Sequence, residues 1–364
     1  IEKTVFSFLL CGILSTVFAF QMKRSLLYLF SIFFNIFLIY NLYTNYIKYY
    51  GFSHFQKIFR ATFFCQFLVF LLQVGLKVFF DKEIPFMPSY GTYFGIPRFS
   101  LWFYEPSYLA TYLVFYFGYV GYLFLFKERK YLLDFLLCLI EFVLCTATTG
   151  FVGVALTLVF LYFLYVIKGN KISFKIAIPI LLVFAFVIFR FAFSNLYKVF
   201  IGRIFDDGLS SASGGRIDQY KVTFSVFMDA PLFGVGMGNY GRYLGLDDSV
   251  VPTNVTLDLL STMGVFGFLS FSFITLRYFF KISSMSSKWK DEYCALAFGL
   301  LLFTIVLQAN QGYLRLYHWM FFGILEGVIK YQDSFISAED VLSYVENKEQ
   351  TLNLKEILER DLNL

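Results

Sequence analysis

Ser107–Phe126 reads SYLATYLVFYFGYVGYLFLF, twenty residues without a charge, and Lys127-Glu128-Arg129-Lys130 follows directly. At about 1.5 Å of rise per residue, such a helix covers the roughly 30 Å of hydrocarbon in a bilayer. Lipid offers no partner to a free backbone N–H or C=O, so the crossing has to be helical. The basic cluster after it marks a cytoplasmic end. The next run, Leu132 to Ile167, is too long for one crossing, and Thr146-Ala147-Thr148-Thr149-Gly150 interrupts it. That break predicts a tight hairpin between two spans.

Working outward by the same criterion gives ten spans, at about 4–21, 25–46, 60–80, 107–126, 131–148, 150–167, 173–194, 254–280, 293–309 and 313–330. The whole chain agrees: of 364 residues, 59% are hydrophobic, 23% aromatic and only 15% charged. Soluble domains carry about 25% charged residues, and a globule lacks the interior to hide this much apolar surface. A soluble enzyme, a disordered chain and a nucleic-acid module are excluded. The fold class is an all-α polytopic membrane protein.

Orientation follows from where the cations fall. Lys127 to Lys130, then Lys168 with Lys171 and Lys175, then Lys281 to Lys290 mark cytoplasmic connections. Alternation then puts 81–106, the long loop 195–253 and the turn 309–313 outside. It also puts Met22-Lys23-Arg24 outside, against the rule. Residues 1–330 form the membrane domain, and 331–364 form an acidic cytoplasmic tail with eight acids against three bases. In that tail, Ser337 with Asp340 has capping-box spacing and Leu354, Ile357, Leu358 and Leu362 share a helical face. The five cysteines lie in or beside apolar runs with no CxxC pair, which supports neither a disulfide framework nor a zinc site.

Chemistry points to the outer loops. The 195–253 loop is about 59 residues, far beyond a usual connection of about 4–6. Ser213-Gly214-Gly215-Arg216 opens a helix whose apolar stripe reads Ile217, Tyr220, Phe224 and Phe227/Met228. Arg216 falls in its first turn, where a cation opposes the helix dipole unless both face an anion; a solvated arginine is the alternative. Pro231-Leu232-Phe233-Gly234-Val235-Gly236-Met237-Gly238-Asn239 alternates glycines that can turn amides to one side, or that allow close packing on the membrane domain. Arg242 follows closely. In the 81–106 loop, Arg98 precedes Glu105, which sits at the mouth of a span beside an aromatic cluster; the two could also simply pair. Arg315 and His318 share a face at the start of the last span, and His318 could equally be a structural histidine. Glu141, mid-span, is read as bonding to a neighbouring helix.

The order of these motifs resembles the O-antigen polymerase and ligase superfamily of membrane glycosyltransferases. Glu105-Pro106-Ser107-Tyr108-Leu109-Ala110, Thr148-Thr149-Gly150, Ser213-Gly214-Gly215-Arg216, Pro231 to Asn239, and Thr253-Asn254 with Leu257 and Gly264 carry it, across roughly 95–330. Arg203 and Gly214 add an Arg-x10-Gly spacing described for some polymerases. The resemblance implies a bacterial inner-membrane protein with its active site facing outward. It implies transfer of glycan from an undecaprenyl-diphosphate carrier to a sugar hydroxyl, with lipid-linked donor and acceptor as partners and a chain-length regulator as a further one. Ligases show His-Asn where this chain has Thr253-Asn254, and often Arg near Thr149, so polymerase is expected over ligase.

Arginines would then grip the leaving diphosphate without a metal or other cofactor, and Glu105 or else His318 would take the acceptor's proton. The substrate-binding set is Arg98, Arg203, Arg216, Tyr220, Gly234, Gly236, Gly238, Asn239, Arg242, Asn254 and Arg315. These guanidinium groups are expected to gather over one lipid-accessible cavity. A flippase or transporter would instead line a central path with charges, and a scaffold or sensor would act through the tail. No nucleic-acid partner is expected.

Overall fold

Helix α4 (Pro106–Phe126) is buried on nearly every side, the fate of a helix that is apolar all round. The computed structural model of the chain describes residues 2–87, 89–93, 96–103, 105–145, 147–167, 216–247, 250–286, 291–310 and 312–331. Around α4 pack α5 (Leu132–Cys145), α6 (Thr148–Ile167) and, most extensively, the late helix Asp291–Val306. Small residues set that last approach. A Cβ added at Gly118 would lie 3.3 Å from the Gly299 Cα, and one at Gly299 would lie 2.7 Å from the Phe115 carbonyl oxygen. The predicted break between α5 and α6 is present, with helix ending at Cys145 and restarting at Thr148.

The N-terminal part supplies a shorter apolar helix and one long apolar run, Met22–Phe80. α1 (Lys3–Val17) is capped by the Glu2 carboxylate, which accepts the Thr4 amide at 2.6 Å. α2 (Met22–Phe34) continues through a π-helical turn, Asn35–Tyr40, into α3 (Asn41–Phe80). This run of 59 residues is not one rod. Gly51 has φ 76°, and the rings of Tyr43 and Phe55 lie 6.0 Å apart. Twelve residues of unbroken helix would rise about 18 Å, so the chain doubles back at Gly51. The two crossings are those expected at 25–46 and 60–80.

After the described gap come α7 (Arg216–Asp229), the short α8 (Tyr240–Tyr243), α9 (Val255–Ser286), α10 (Asp291–Val306) and α11 (316–331). The expected span 173–194 and the tail beyond Tyr331 lie outside the described residues, as does Arg203. The helices and their apolar lengths make this an all-α polytopic membrane protein, as composition requires. One small antiparallel hairpin, β1 (Tyr90–Tyr93) with β2 (Ile96–Arg98), sits in the 81–106 loop and was not expected.

α9 is also broken. Gly264 has φ 69°, and the glycine-rich loop fills the gap. Val235 and Gly236 donate their amides to the Ser261 and Thr262 carbonyls at 2.9 and 3.0 Å, and Val265 donates to the Pro231 carbonyl at 2.8 Å. The Ser261 and Thr262 carbonyls and the Val265 amide, beside the break, thus find partners in the loop, the condition for a broken helix at membrane depth.

The charged contacts sort to two faces. Arg60 pairs with Asp134 at 2.6 Å, Lys127 with Glu292, and Glu326 with both Arg277 and Lys330 at 2.7 Å, all on the side of the 127–130 cluster. The starts of α2, α4, α9 and α11 lie on the other. Met22-Lys23-Arg24 is on that second face, with the 230–243 loop: Phe20 donates to the Val235 carbonyl at 2.9 Å, and Arg24 Nε donates to the Gly238 carbonyl. Arg24 also lies 5.8 Å from the Tyr28 ring centre. The arginine of this triplet is docked on protein rather than left as a free cation. Glu141 accepts a hydrogen bond from Gln66 Nε2 at 3.0 Å, the neighbouring-helix contact that its position predicts.

Candidate functional site

Where the starts of α2, α4, α9 and α11 meet, they enclose a cavity of ≈ 550 Å³, within the ordinary range for small-molecule sites of about 300–1,000 Å³. Its charged lining is Glu105, Asp258 and Arg315. Tyr28, Tyr108, Tyr240 and Tyr313 add four aromatic faces with hydroxyls, and Leu27, Leu314, Val251 and Pro252 complete its apolar part. Such a wall suits a sugar, which presents hydroxyls at its rim and C–H groups on its faces.

Each charged group is placed by a helix start. Pro106 begins α4, and Glu105 precedes it in extended conformation, its carboxylate accepting the Ser107 hydroxyl at 3.0 Å. The segment leading to Glu105 is tied to α3 by Gln73, which accepts the Leu101 amide at 3.1 Å and donates to the Met87 carbonyl at 2.9 Å. Asp258 stands in the first turns of α9 and is 4% exposed. Arg315 precedes α11, with its guanidinium 3.9 Å from the Tyr108 ring centre and within electrostatic reach of Asp258.

The remaining expected residues fall elsewhere. Arg98 ends β2 near Cys145, with its Nε buried and without a hydrogen-bond partner among the described residues. Arg242 is exposed and donates to Gln21 Oε1 at 2.5 Å. Neither lines the cavity, so among the described side chains the expected gathering of guanidinium groups is carried there by Arg315. Arg216 begins α7, as its Ser-Gly-Gly prefix predicts. One turn on, Gln219 holds the rim by donating to the Val251 carbonyl at 3.0 Å and accepting the Thr253 hydroxyl at 2.8 Å.

The α7 stripe is corrected. Thr223 and Val226 are buried, whereas Phe224 is 50% and Met228 60% exposed. The packed face runs through Gln219, Thr223 and Val226 because the Thr223 hydroxyl meets the Tyr240 hydroxyl at 2.8 Å. Tyr220 is half-buried beside it.

His318 lies in an aromatic box, 5.0 Å from the ring centres of Phe271 and Phe303 and 4.7 Å from that of Phe322. It is off the cavity wall. Asn254 caps α9, accepting the Leu257 amide at 3.0 Å and donating to the Gln308 carbonyl at 2.8 Å. Asn239 staples the loop to α2 by donating to the Ser25 hydroxyl at 3.0 Å and the Gln21 carbonyl at 3.2 Å. Gly234 donates its amide to Ala230, as Gly236 does to Thr262, so these amides are engaged within the fold. Gly238 does line the cavity.

Asp258 was missed. The signal was available: a carboxylate inside a span is a functional candidate by its cost alone. No group of three or more His, Cys, Asp or Glu side chains among the described residues could hold a metal ion.

Residues 133–272 match the family model described as O-antigen ligase. Over this stretch the chain is similar to the O-antigen polymerase/ligase superfamily. No curated protein matches the chain. The superfamily match runs from α5 into α9 and takes in Gly238, Tyr240 and Asp258 of the cavity wall, while Glu105 and Arg315 enter from helices on either side of it.

Proposed function

We propose that this protein polymerises oligosaccharide repeat units carried on undecaprenyl diphosphate. The reaction transfers the growing glycan from its diphosphate to a hydroxyl of the next unit, at the outer face of the bacterial inner membrane. The observation that carries this reading is the cavity itself, which combines two carboxylates, one arginine and four tyrosines at the mouth of apolar helices. Negative charge grows on the diphosphate as the glycosidic bond breaks, and an arginine in a poorly hydrated mouth stabilises that charge strongly. Arg315 serves this role from the cavity wall, and Arg216 serves it from the head of α7. The polyprenyl tail leaves between helices through their exposed phenylalanines. Arginine supplies the electrostatics, so the proposed reaction needs no metal. Polymerase is favoured over ligase because Thr253 stands where ligases of the resembling family carry histidine.

The test is Arg216→Ala and Arg216→Lys in a host lacking its own polymerase. The expected result is loss of the polymer ladder with single-repeat surface glycan surviving. A ladder of unchanged length in the alanine variant rejects the role of Arg216. Loss of every surface repeat identifies a flippase instead.

A further inference from the structure

We infer that Asp258, rather than Glu105, accepts the proton of the acceptor sugar's hydroxyl. This inference rests on the glycan-transfer reading of the cavity and assigns its base. Both carboxylates line the same space, but their surroundings differ. Glu105 is exposed and already accepts the Ser107 hydroxyl at 3.0 Å. It precedes α4, where the helix start and water both share its charge. A proton arriving there competes with hydrogen bonds already made.

Asp258 is arranged the other way. Its backbone is fully engaged: its amide donates to the Asn254 carbonyl at 2.8 Å, and its own carbonyl accepts the Thr262 hydroxyl at 2.5 Å and the Ser261 hydroxyl at 3.2 Å. These bonds lock the residue in place. Its carboxylate accepts no hydrogen bond among the described residues, although the side chain is almost wholly buried. The carboxylate opens onto the cavity, so its acceptor oxygens are within reach of a ligand hydroxyl there. Among the described residues, Arg315, Tyr240 and Tyr313 are charged or titratable groups within its electrostatic reach. Asp258 therefore shares the cavity with the cation assigned to the leaving group, which is where the attacking hydroxyl must come.

The step balances as follows. The hydroxyl proton passes to an Asp258 carboxylate oxygen, and the freed oxygen pair forms the bond to the donor's anomeric carbon. The bond from that carbon to the diphosphate oxygen breaks, and its electron pair departs on polyprenyl diphosphate. Asp258 then returns its proton to water at the cavity mouth. Glu105 is left to hydrogen-bond the acceptor sugar at the rim.

The experiment follows single-turnover transfer on a synthetic polyprenyl-diphosphate repeat unit by the full-length protein in nanodiscs. Asp258→Asn should lower transfer by about 100-fold or more with unchanged binding of a fluorescent polyprenyl-diphosphate probe. Asp258→Glu should recover part of the rate and displace the acid limb of the pH–rate profile. Glu105→Gln should raise the KM for acceptor, lower kcat by less than about tenfold, and keep the wild-type pH profile. Asp258→Asn within tenfold of wild type, or Glu105→Gln abolishing the acid limb, overturns the assignment while transfer itself stands. Should Asp258→Asn not fold, an unmoved acid limb in Asp258→Glu overturns it equally. Wild-type protein that binds the probe and transfers nothing defeats the glycan-transfer reading, and the base with it.

Discussion

The Arg315 guanidinium lies over the Tyr108 ring, 3.9 Å from its centre. This one contact joins the turn before α11 to the first turn of α4, and it places a cation on the cavity wall. A stacked guanidinium keeps its N–H fork free in the ring plane for a diphosphate oxygen pair, which a lysine cannot reproduce.

Arg315→Ala should accordingly cut glycan transfer by about 100- to 1,000-fold, the usual loss for one charge-stabilising donor. Arg315→Lys should restore less than a tenth of the wild-type rate. Single-turnover rates measure both, and a lysine variant at wild-type rate rejects the stacked-fork role.

Gly264 tests the plug in α9. A Cβ there would lie 2.2 Å from the Leu232 carbonyl oxygen, at a φ of 69° that side chains resist. Gly264→Ala should destabilise the protein by about 2 kcal/mol or more, read as a lower Tm in detergent. An unchanged Tm would mean the loop can withdraw freely.

Arg60 and Asp134 should be coupled. Arg60 makes a forked contact to Asp134, with Nη2 to Oδ2 at 2.6 Å, while Tyr116 donates its hydroxyl to Oδ1 at 3.1 Å. A double-mutant cycle with Arg60→Ala and Asp134→Ala should give about 1–3 kcal/mol of coupling in unfolding free energy. Additive single effects would show the pair to be incidental.

The face assigned to Met22-Lys23-Arg24 is open to labelling. Cysteines at Lys23 and Leu246 should react with an impermeant maleimide from the same side of a sealed vesicle, and one at Lys130 only from the other. Labelling of the Lys23 and Lys130 positions from one side contradicts the docking of Arg24 on Gly238.

Much of this was legible along the chain. Apolar length located the long spans at Pro106–Phe126, Val255–Met285 and Asp291–Ala309, and the run Met22–Phe80 that Gly51 breaks in two, because the need to span lipid depends on composition alone. Glu105 and Arg315 were found since each interrupts an apolar stretch at a span's start. The α7 stripe misled because Phe224 and Met228 are apolar yet face outward, while a hydroxyl pair, Thr223 with Tyr240, fixes the buried side. The glycines pointed to positive φ correctly at Gly234, Gly236 and Gly238. What their amides bind was not readable from spacing.

Sequence by itself determined that this chain lives in a membrane and roughly where it crosses, since the cost of unpaired backbone in lipid is a local property of each segment. Tertiary structure alone decided which charges share a cavity. Asp258, Arg315 and Glu105 are separated by long stretches of chain, and only the packing of α4, α9 and α11 brings their helix starts to one mouth. Arg98 and Arg242, equally plausible by pattern, were carried to other contacts by the hairpin and the glycine loop that hold them.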